Sequence, residues 1–341
     1  MLKMKVTLKD IANRAEVSIS TVSRVLSDTP VSIHEETRTR IIQAAKELGY
    51  HKNYNSLENK NNPGKKIGLV LNKVENKYRD PYFSEIIYGI ERESIEQGYI
   101  LEFIHDMQEL IQSNLLSEIN KNDLGVICVG PFKEEFLGKI TQQVPIVLSA
   151  GGTAELDIDH VTVDFFSAAK KATNYLIELG HTDIAYIGGS SLLGSPLNQE
   201  ERFLGFKTAL QSNNIPINPE WIQDGGFDLT TGYEAMKKIL NSNRIPTALF
   251  SASDRMAHGA YKAIQEYGLS IPENISIVSF DDIEMSEFIT PPLTTIRVYK
   301  EEMGRIAVKL LIQRMEGSIS LPLTSYLPAK LIVRNSCKKI N

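Results

Sequence analysis

The 341-residue chain is poor in cysteine and tryptophan, with only Cys128, Cys337 and one Trp, and it has no apolar run near the length a bilayer requires. Two cysteines without a CxxC pair or a Cys/His spacing exclude a disulfide framework and a zinc site and fit a reducing compartment. Basic and polar residues break up the N-terminal region, so no secretory leader is expected and the chain reads as cytoplasmic. The enzyme motifs that carry a phosphate cradle, a metal or an activated serine are missing as well. There is no P-loop, GxGxxG, HExxH or GxSxG, and Gly188-Gly189-Ser190-Ser191 lacks the spacing of a nucleophile turn. His181 follows Gly180 where a helix is expected to end, an ordinary capping position. The expectation is a non-enzyme with no cofactor and no metal.

Charge, by contrast, is plentiful and unevenly placed. Residues 1–66 hold 12 Lys and Arg against 7 Asp and Glu, whereas the remainder holds 25 against 35. A basic head on an acidic body concentrates attraction for a polyanion at one end and keeps the rest of the chain away from it.

The head has the pattern of three short helices. Leu8, Ile11, Ala12 and Ala15 recur at i, i+3, i+4 and i+7, with Thr7 placed to cap that helix. After a tight turn, Ser18 is placed to cap a second helix that turns Val22, Val25 and Leu26 inward and leaves Ser20, Thr21, Ser23 and Arg24 outward. A third helix opens at Ser32 with Glu35 in capping-box spacing, carries Ile41, Ala45 and Leu48 inward and closes at Gly49. Two helices around a tight turn, the second polar and bearing an Arg, form a DNA-reading unit. The base-reading candidates are Ile19, Ser20 and Arg24, since arginine is shaped to hold guanine bidentately. Thr7, Ser18, Thr21 and Ser23 are the candidates for phosphate contacts. One head covers one half-site, so a homodimer on a pseudo-palindromic duplex is expected.

From Lys65 the pattern changes to short apolar runs alternating with helical stretches. The runs at 67–71, 100–104, 124–129, 145–148, 184–187, 247–250 and 275–280 read as buried parallel strands, and 83–97 and 167–179 as helices between them. In the first of these helices Ile86, Ile87, Ile90 and Ile95 are expected inward. This alternation predicts a doubly wound α/β body, whose ligands bind beyond the carboxyl ends of the strands. Asp164, Ser253, Asp254, Asp281 and Asp282 stand at those ends. An Asp or Ser there ordinarily caps the next helix, but together with an Arg and aromatic faces such groups suit a polyhydroxylated ligand.

Val6 to Leu26 and Gly49-Tyr50 resemble the head of the lactose/galactose repressor (LacI/GalR) family of bacterial transcription regulators. The likeness continues through Asp80-Pro81-Tyr82-Phe83, Gly89-Ile90-Glu91, Gly180-His181, Ala252-Ser253-Asp254, Phe280-Asp281-Asp282 and Pro291 to Thr295. It implies a helix-turn-helix head over 1–52, a hinge over 53–65 and two periplasmic-binding-protein-like lobes. The first lobe would comprise 66–163 and 296–322, the second 164–295 and 323–341. The resemblance further implies effector contacts by Asp164, Arg202, Phe227, Ser253 and Asp281, with Tyr82 or Phe83 contributing from the first lobe. In relatives the hinge folds on operator DNA and wedges a Leu into the minor groove; here Asn59 holds the usual position and Leu57 is the leucine available. Relatives have Gly in the turn before the reading helix where Glu16 stands, Asn where Ser253 stands and an aromatic where Lys300 stands.

The reading is a repressor of a carbohydrate-utilisation operon whose grip on operator DNA is set by a small sugar, a galactoside among the options, bound between the lobes. Two alternatives share the pattern. One is a regulator switched by a non-sugar corepressor or a partner protein, and the other a sugar-binding protein with a vestigial head.

Overall fold

The computed structural model describes residues 7–26, 34–47, 65–72, 80–112, 124–150, 156–190 and 196–340. Ser32, Leu48, Gly49, Leu57 and Asn59, and with them the hinge wedge, lie outside the described residues, as does the Leu26 side chain. The chain divides into a small unit, Met1–Lys66 with Ser94–Ile100, and a large one, Ile67–Glu93 with Leu101–Asn341.

The small unit contains the three expected helices, α1 (Leu8–Ala15), α2 (Ile19–Leu26) and α3 (Glu35–Glu47). Ile11, Ala12, Ala15, Val22, Val25, Ile41, Ile42, Ala44 and Ala45 form its core, with Leu8 and Val17 packed at the edge. Glu16 ends α1 in the left-handed region at φ 53°. A glycine takes that conformation without strain and a glutamate does not.

The large unit holds two six-stranded sheets. Its strands are β1 (Lys66–Leu71), β2 (Ile100–Asp106), β3 (Leu124–Val129), β4 (Ile146–Ser149), β5 (Asp159–Val163), β6 (Ile184–Gly188), β7 (Ile222–Asp224), β8 (Ala248–Ser251), β9 (Ser276–Asp281), β10 (Thr294–Val298), β11 (Thr324–Leu327) and β12 (Ala329–Ile332). The helices are α4 (Pro81–Glu96), α5 (Met107–Gln112), α6 (Glu134–Thr141), α7 (Phe165–Glu178), α8 (Glu201–Ser212), α9 (Leu229–Leu240), α10 (Asp254–Glu266), α11 (Met285–Phe288) and α12 (Lys300–Met315). The first sheet runs β11-β5-β4-β3-β1-β2 and the second β12-β10-β9-β8-β6-β7. Described pairs such as β3–β4, β4–β5, β6–β8 and β8–β9 are parallel, whereas β10–β12 is antiparallel.

The lobe boundaries differ from expectation at two strands. Helix α12 packs on β3, β4 and β5 of the first sheet, as expected, but β10 just before it pairs with β9 in the second. Conversely β11, assigned to the second lobe, pairs with β5 in the first. A short apolar run reveals that it is a strand; which sheet it joins depends on partners far away in sequence. Ile95 is also a correction, being 56% exposed. The inward stripe of Ile86, Ile87 and Ile90 continues instead on buried Glu93, which Arg305 holds at 2.9 Å.

In each lobe one helix pair crosses on two glycines. A Cβ on Gly89 of α4 would lie 2.1 Å from the Glu301 carbonyl oxygen, and one on Gly304 of α12 would lie 2.2 Å from that of Ile86. In the second lobe a Cβ on Gly259 of α10 would meet the Leu229 oxygen at 2.2 Å, and one on Gly232 of α9 would meet Met256 Cα at 2.6 Å. Any side chain there would force the backbones apart.

Candidate functional site

Two regions carry the functional candidates. In the head, Thr7, Ser18, Ile19, Ser20 and Arg24 are exposed and Thr21 and Ser23 half-buried. Thr7 is tied to α1, since its Oγ1 and backbone N–H donate to Asp10 Oδ2 at 2.7 and 2.8 Å. These hydrogen bonds hold the Asp10 carboxyl below its ordinary value. Ser18 caps α2 as expected, its Oγ accepting from Thr21 N–H at 3.1 Å.

In the large unit Arg202 is the centre of the second candidate. Its Nε donates to Glu200 Oε1 at 2.7 Å and its Nη1 to the Ala252 carbonyl at 3.1 Å. The guanidinium lies 4.6, 4.9 and 5.5 Å from the ring centroids of Phe227, Phe165 and Phe280. A cation this close to three ring centroids is stabilised by their quadrupoles. Glu200 is fixed in turn, because its other oxygen accepts from Tyr186 Oη at 3.0 Å and from the N–H groups of Arg202 and Phe203 at 3.0 and 3.1 Å. Phe227 reaches Arg202 from a left-handed backbone at φ 56°, and Gly189 makes room, since a Cβ there would lie 2.3 Å from the ring.

Asp281 ends β9 with φ 112°, 5% exposed, and its carboxylate accepts no hydrogen bond among those described. Burial pushes this carboxyl well above the ordinary range and the Asp254 charge adds to that, against the pull of Arg202 and Lys300. Tyr82, from the first lobe, is turned edge-on to Phe83 at 5.3 Å. Burial raises the Tyr82 phenol, and the Asp281 charge raises it further. Arg202, Phe227, Asp281 and Tyr82 thus share one environment.

Asp164 and Ser253 do the work of helix caps. Asp164 is exposed and accepts from Ser167 N–H at 2.8 Å, and buried Ser253 accepts from Met256 N–H at 3.3 Å. Phe165, Phe280 and Glu200 escaped the sequence reading, because an aromatic beside a strand end looks like core and a glutamate before a helix looks like a solvated cap.

Two further links join the lobes. Arg255 of α10 donates from Nη1 to Asp80 Oδ2 at 2.8 Å and from Nη2 to Asp228 Oδ2 at 2.9 Å. Both acids are pre-positioned, as Asp80 Oδ1 accepts from Tyr82 N–H and Asp228 Oδ1 from Thr230 N–H. Buried Lys300 donates from Nζ to the carbonyls of Asp281 and Asp282 at 2.8 and 3.2 Å and pairs with Glu85 at 3.4 Å. Asp282, also at positive φ, is braced by Arg297 and Arg334 at 2.5 and 2.7 Å, so the strained turn that presents Asp281 is held from several sides.

Among the described residues no group of His, Cys, Asp and Glu could hold a metal, and no helix is long and apolar enough to cross a membrane. Residues 7–53 match the model for bacterial regulatory proteins of the lacI family, and residues 173–337 that for periplasmic binding protein-like domains. The chain is 38% identical to the HTH-type transcriptional repressor MelR of Bacillus subtilis, over 97% of each chain. Among solved structures it resembles the transcriptional regulator CelR–cellobiose complex, at TM-score 0.72 and 27% identity over 97% of this chain and 99% of that one. It also resembles the lac repressor dimer bound to operator and the anti-inducer ONPF, at TM-score 0.71 and 26% identity over 98% and 99%. The chain belongs to the lacI family of bacterial regulatory proteins and is a DNA-binding repressor with an effector-binding body.

Proposed function

We propose that this repressor acts in the cytoplasm as a homodimer on carbohydrate-utilisation genes, answers to a small sugar held between its lobes, and catalyses no reaction. In this reading α2 enters the major groove. Ile19, Ser20 and Arg24 face base edges, Thr7, Ser18, Thr21 and Ser23 face phosphates, and Leu57 supplies the minor-groove wedge. The effector meets Arg202, Phe227 and Asp281 from the second lobe and Tyr82 and Phe83 from the first, with Asp164 and Ser253 at its margin.

The observation that carries the sugar reading is the buried Asp281 carboxylate beside a guanidinium close to three rings. The acid needs hydrogen-bond donors and the arginine has donors to spare. A ring bearing adjacent hydroxyls on one side and apolar C–H on the other answers both groups and the half-buried Phe227 ring. The cellobiose held by the CelR relative supports the same chemistry.

Thermal unfolding of the full-length protein with galactose, lactose, melibiose, cellobiose and ribose tests this. A sugar present at a hundred times its Kd stabilises the folded state by about 2.7 kcal/mol. Arg202→Ala is expected to lose that response and keep operator binding. The absence of any shift across a full mono- and disaccharide panel overturns the sugar reading.

A further inference from the structure

The exposed Ile19 is the feature of the head that its polar chemistry leaves unexplained. It is the first residue of α2 and 48% exposed, while every other aliphatic side chain described on α2 faces the core or its edge. Its neighbours on the helix carry polar groups. Ser18 Oγ lies 2.7 Å from both Ser20 Oγ and Thr21 Oγ1 and also accepts from Thr21 N–H, so Ser18 is saturated while Ser20 and Thr21 each keep hydrogen-bonding capacity for a ligand. Arg24 is exposed and takes no ion pair or hydrogen bond among the described residues.

With α2 assigned as the reading helix, the base-facing surface offers one free fork of donors, one apolar branch and one hydroxyl. It has no Asn or Gln, the side chains that hold adenine bidentately in the major groove. An aliphatic group held against duplex DNA by a basic head has one apolar feature to meet in that groove, the C5-methyl of thymine. Cytosine in the same place would present its amino group and a bare C5–H, leaving the isoleucine against polar edges.

We infer that Ile19 is a specificity-determining residue that reads a thymine 5-methyl group in each operator half-site, beside a guanine read by Arg24. The inference rests on the assignment of α2 as the reading helix.

The test uses the full-length protein. Operators are selected from random duplexes at physiological ionic strength, and each thymine of the winning sequence is then replaced singly by deoxyuridine, which differs only by the missing methyl. One position per half-site is expected to lose about fourfold in affinity, the equivalent of one buried methyl group, measured by fluorescence anisotropy. In Ile19→Ala that deoxyuridine penalty disappears, and in Ile19→Val part of it returns. Placing 5-methylcytosine at the same position, in place of cytosine, restores some affinity to the wild type and none to Ile19→Ala. The inference is overturned if no deoxyuridine position costs affinity, or if the penalty persists unchanged in Ile19→Ala. Failure of the parent assignment looks different, because then selection enriches no sequence at all.

Discussion

The two lobes of the large unit are built to the same plan and equipped differently. Each has a six-stranded sheet, and each has a helix pair brought to backbone contact by two glycines, Gly89 with Gly304 in one and Gly232 with Gly259 in the other. The first lobe meets the second through the start of α4, with Asp80, Tyr82 and Glu85, and through Lys300 of α12. The second contributes Arg202 and its three rings, Asp281, and the cationic end of the Arg255 link. Under the sugar reading proposed above, this shared frame carries an asymmetric division of labour, in which one lobe holds the ligand and the other is drawn onto it.

The largest effect expected from testing this comparison is at the glycine crossings. Gly259→Leu drives a side chain into the Leu229 carbonyl and is expected to cost about 3 kcal/mol or more, and Gly304→Leu a similar amount against Ile86. Urea unfolding followed by far-UV circular dichroism reads both, with the fluorescence of Trp221 reporting the second lobe separately. Equal losses would show that the lobes are equally rigid, and a loss confined to Gly259→Leu would show that the first lobe tolerates looser packing.

At the ligand the division of labour predicts unequal costs. Arg202→Ala is expected to abolish sugar-induced stabilisation, whereas Tyr82→Phe, which removes one hydroxyl of the first lobe, is expected to weaken affinity by about 1 kcal/mol, roughly fivefold. Titration calorimetry with the sugar that stabilises the wild type separates the two. Comparable losses would erase the distinction between holder and lid.

Next in size is Arg255→Gln, which cuts the link from α10 to Asp80. With Arg255 31% and Asp80 14% exposed, the pair is worth about 1 kcal/mol and is screened by salt. The variant is expected to widen the distance between spin labels placed on the exposed Lys133 and Lys262 sites of the two lobes and to lose its response to added salt. An unchanged distance would place the closing force elsewhere, with Lys300 the next residue to examine.

The last comparison is with pH, where two groups on α10 oppose each other. Burial holds the His258 imidazole down at about 4, so its contribution is full above its ordinary 6.5 and is lost as pH falls toward 4. Burial lifts the Asp254 carboxyl from 3.8 to about 6, even though Ser286, Thr295 and the Ile283 N–H donate to it. Its contribution is full below 3.8 and is lost as pH rises through 6. Asp254→Asn should therefore leave a protein that loses stability on acidification across this window, and His258→Gln one that loses it on the way up. Urea midpoints at matched pH values check the opposing slopes.

The head could be read almost entirely from sequence because its order is local: the i, i+3, i+4 stripe, a capping serine and a turn specify three helices without distant partners. The strands of the body were visible as apolar runs, but β10 and β11 exchanged sheets, since pairing over long separations leaves no mark on five residues. Ile95 misled for a similar reason, the stripe of α4 continuing on an ion-paired glutamate that a search for apolar residues passes over. In the site, the Arg202 guanidinium lies over the Phe227 ring and feels the Asp281 charge, while Asp164 and Ser253 cap their helices. Phe165 and Phe280 could not be distinguished from core by type alone; only the guanidinium above them gives them a second role. Glu16 was visible as a departure from glycine, and the left-handed turn it occupies gives the physical reason. Glu16→Gly is expected to slow amide exchange in α1 and α2 by relieving about 1 kcal/mol of strain.

The last two strands lie at the outer edges of different sheets, β11 beside β5 and β12 beside β10. A nascent polypeptide emerging from the ribosome can complete neither sensing lobe until those edges are made, by which time the head has long since been free to fold. Synthesis thus delivers a DNA-reading head before either lobe of the body is complete.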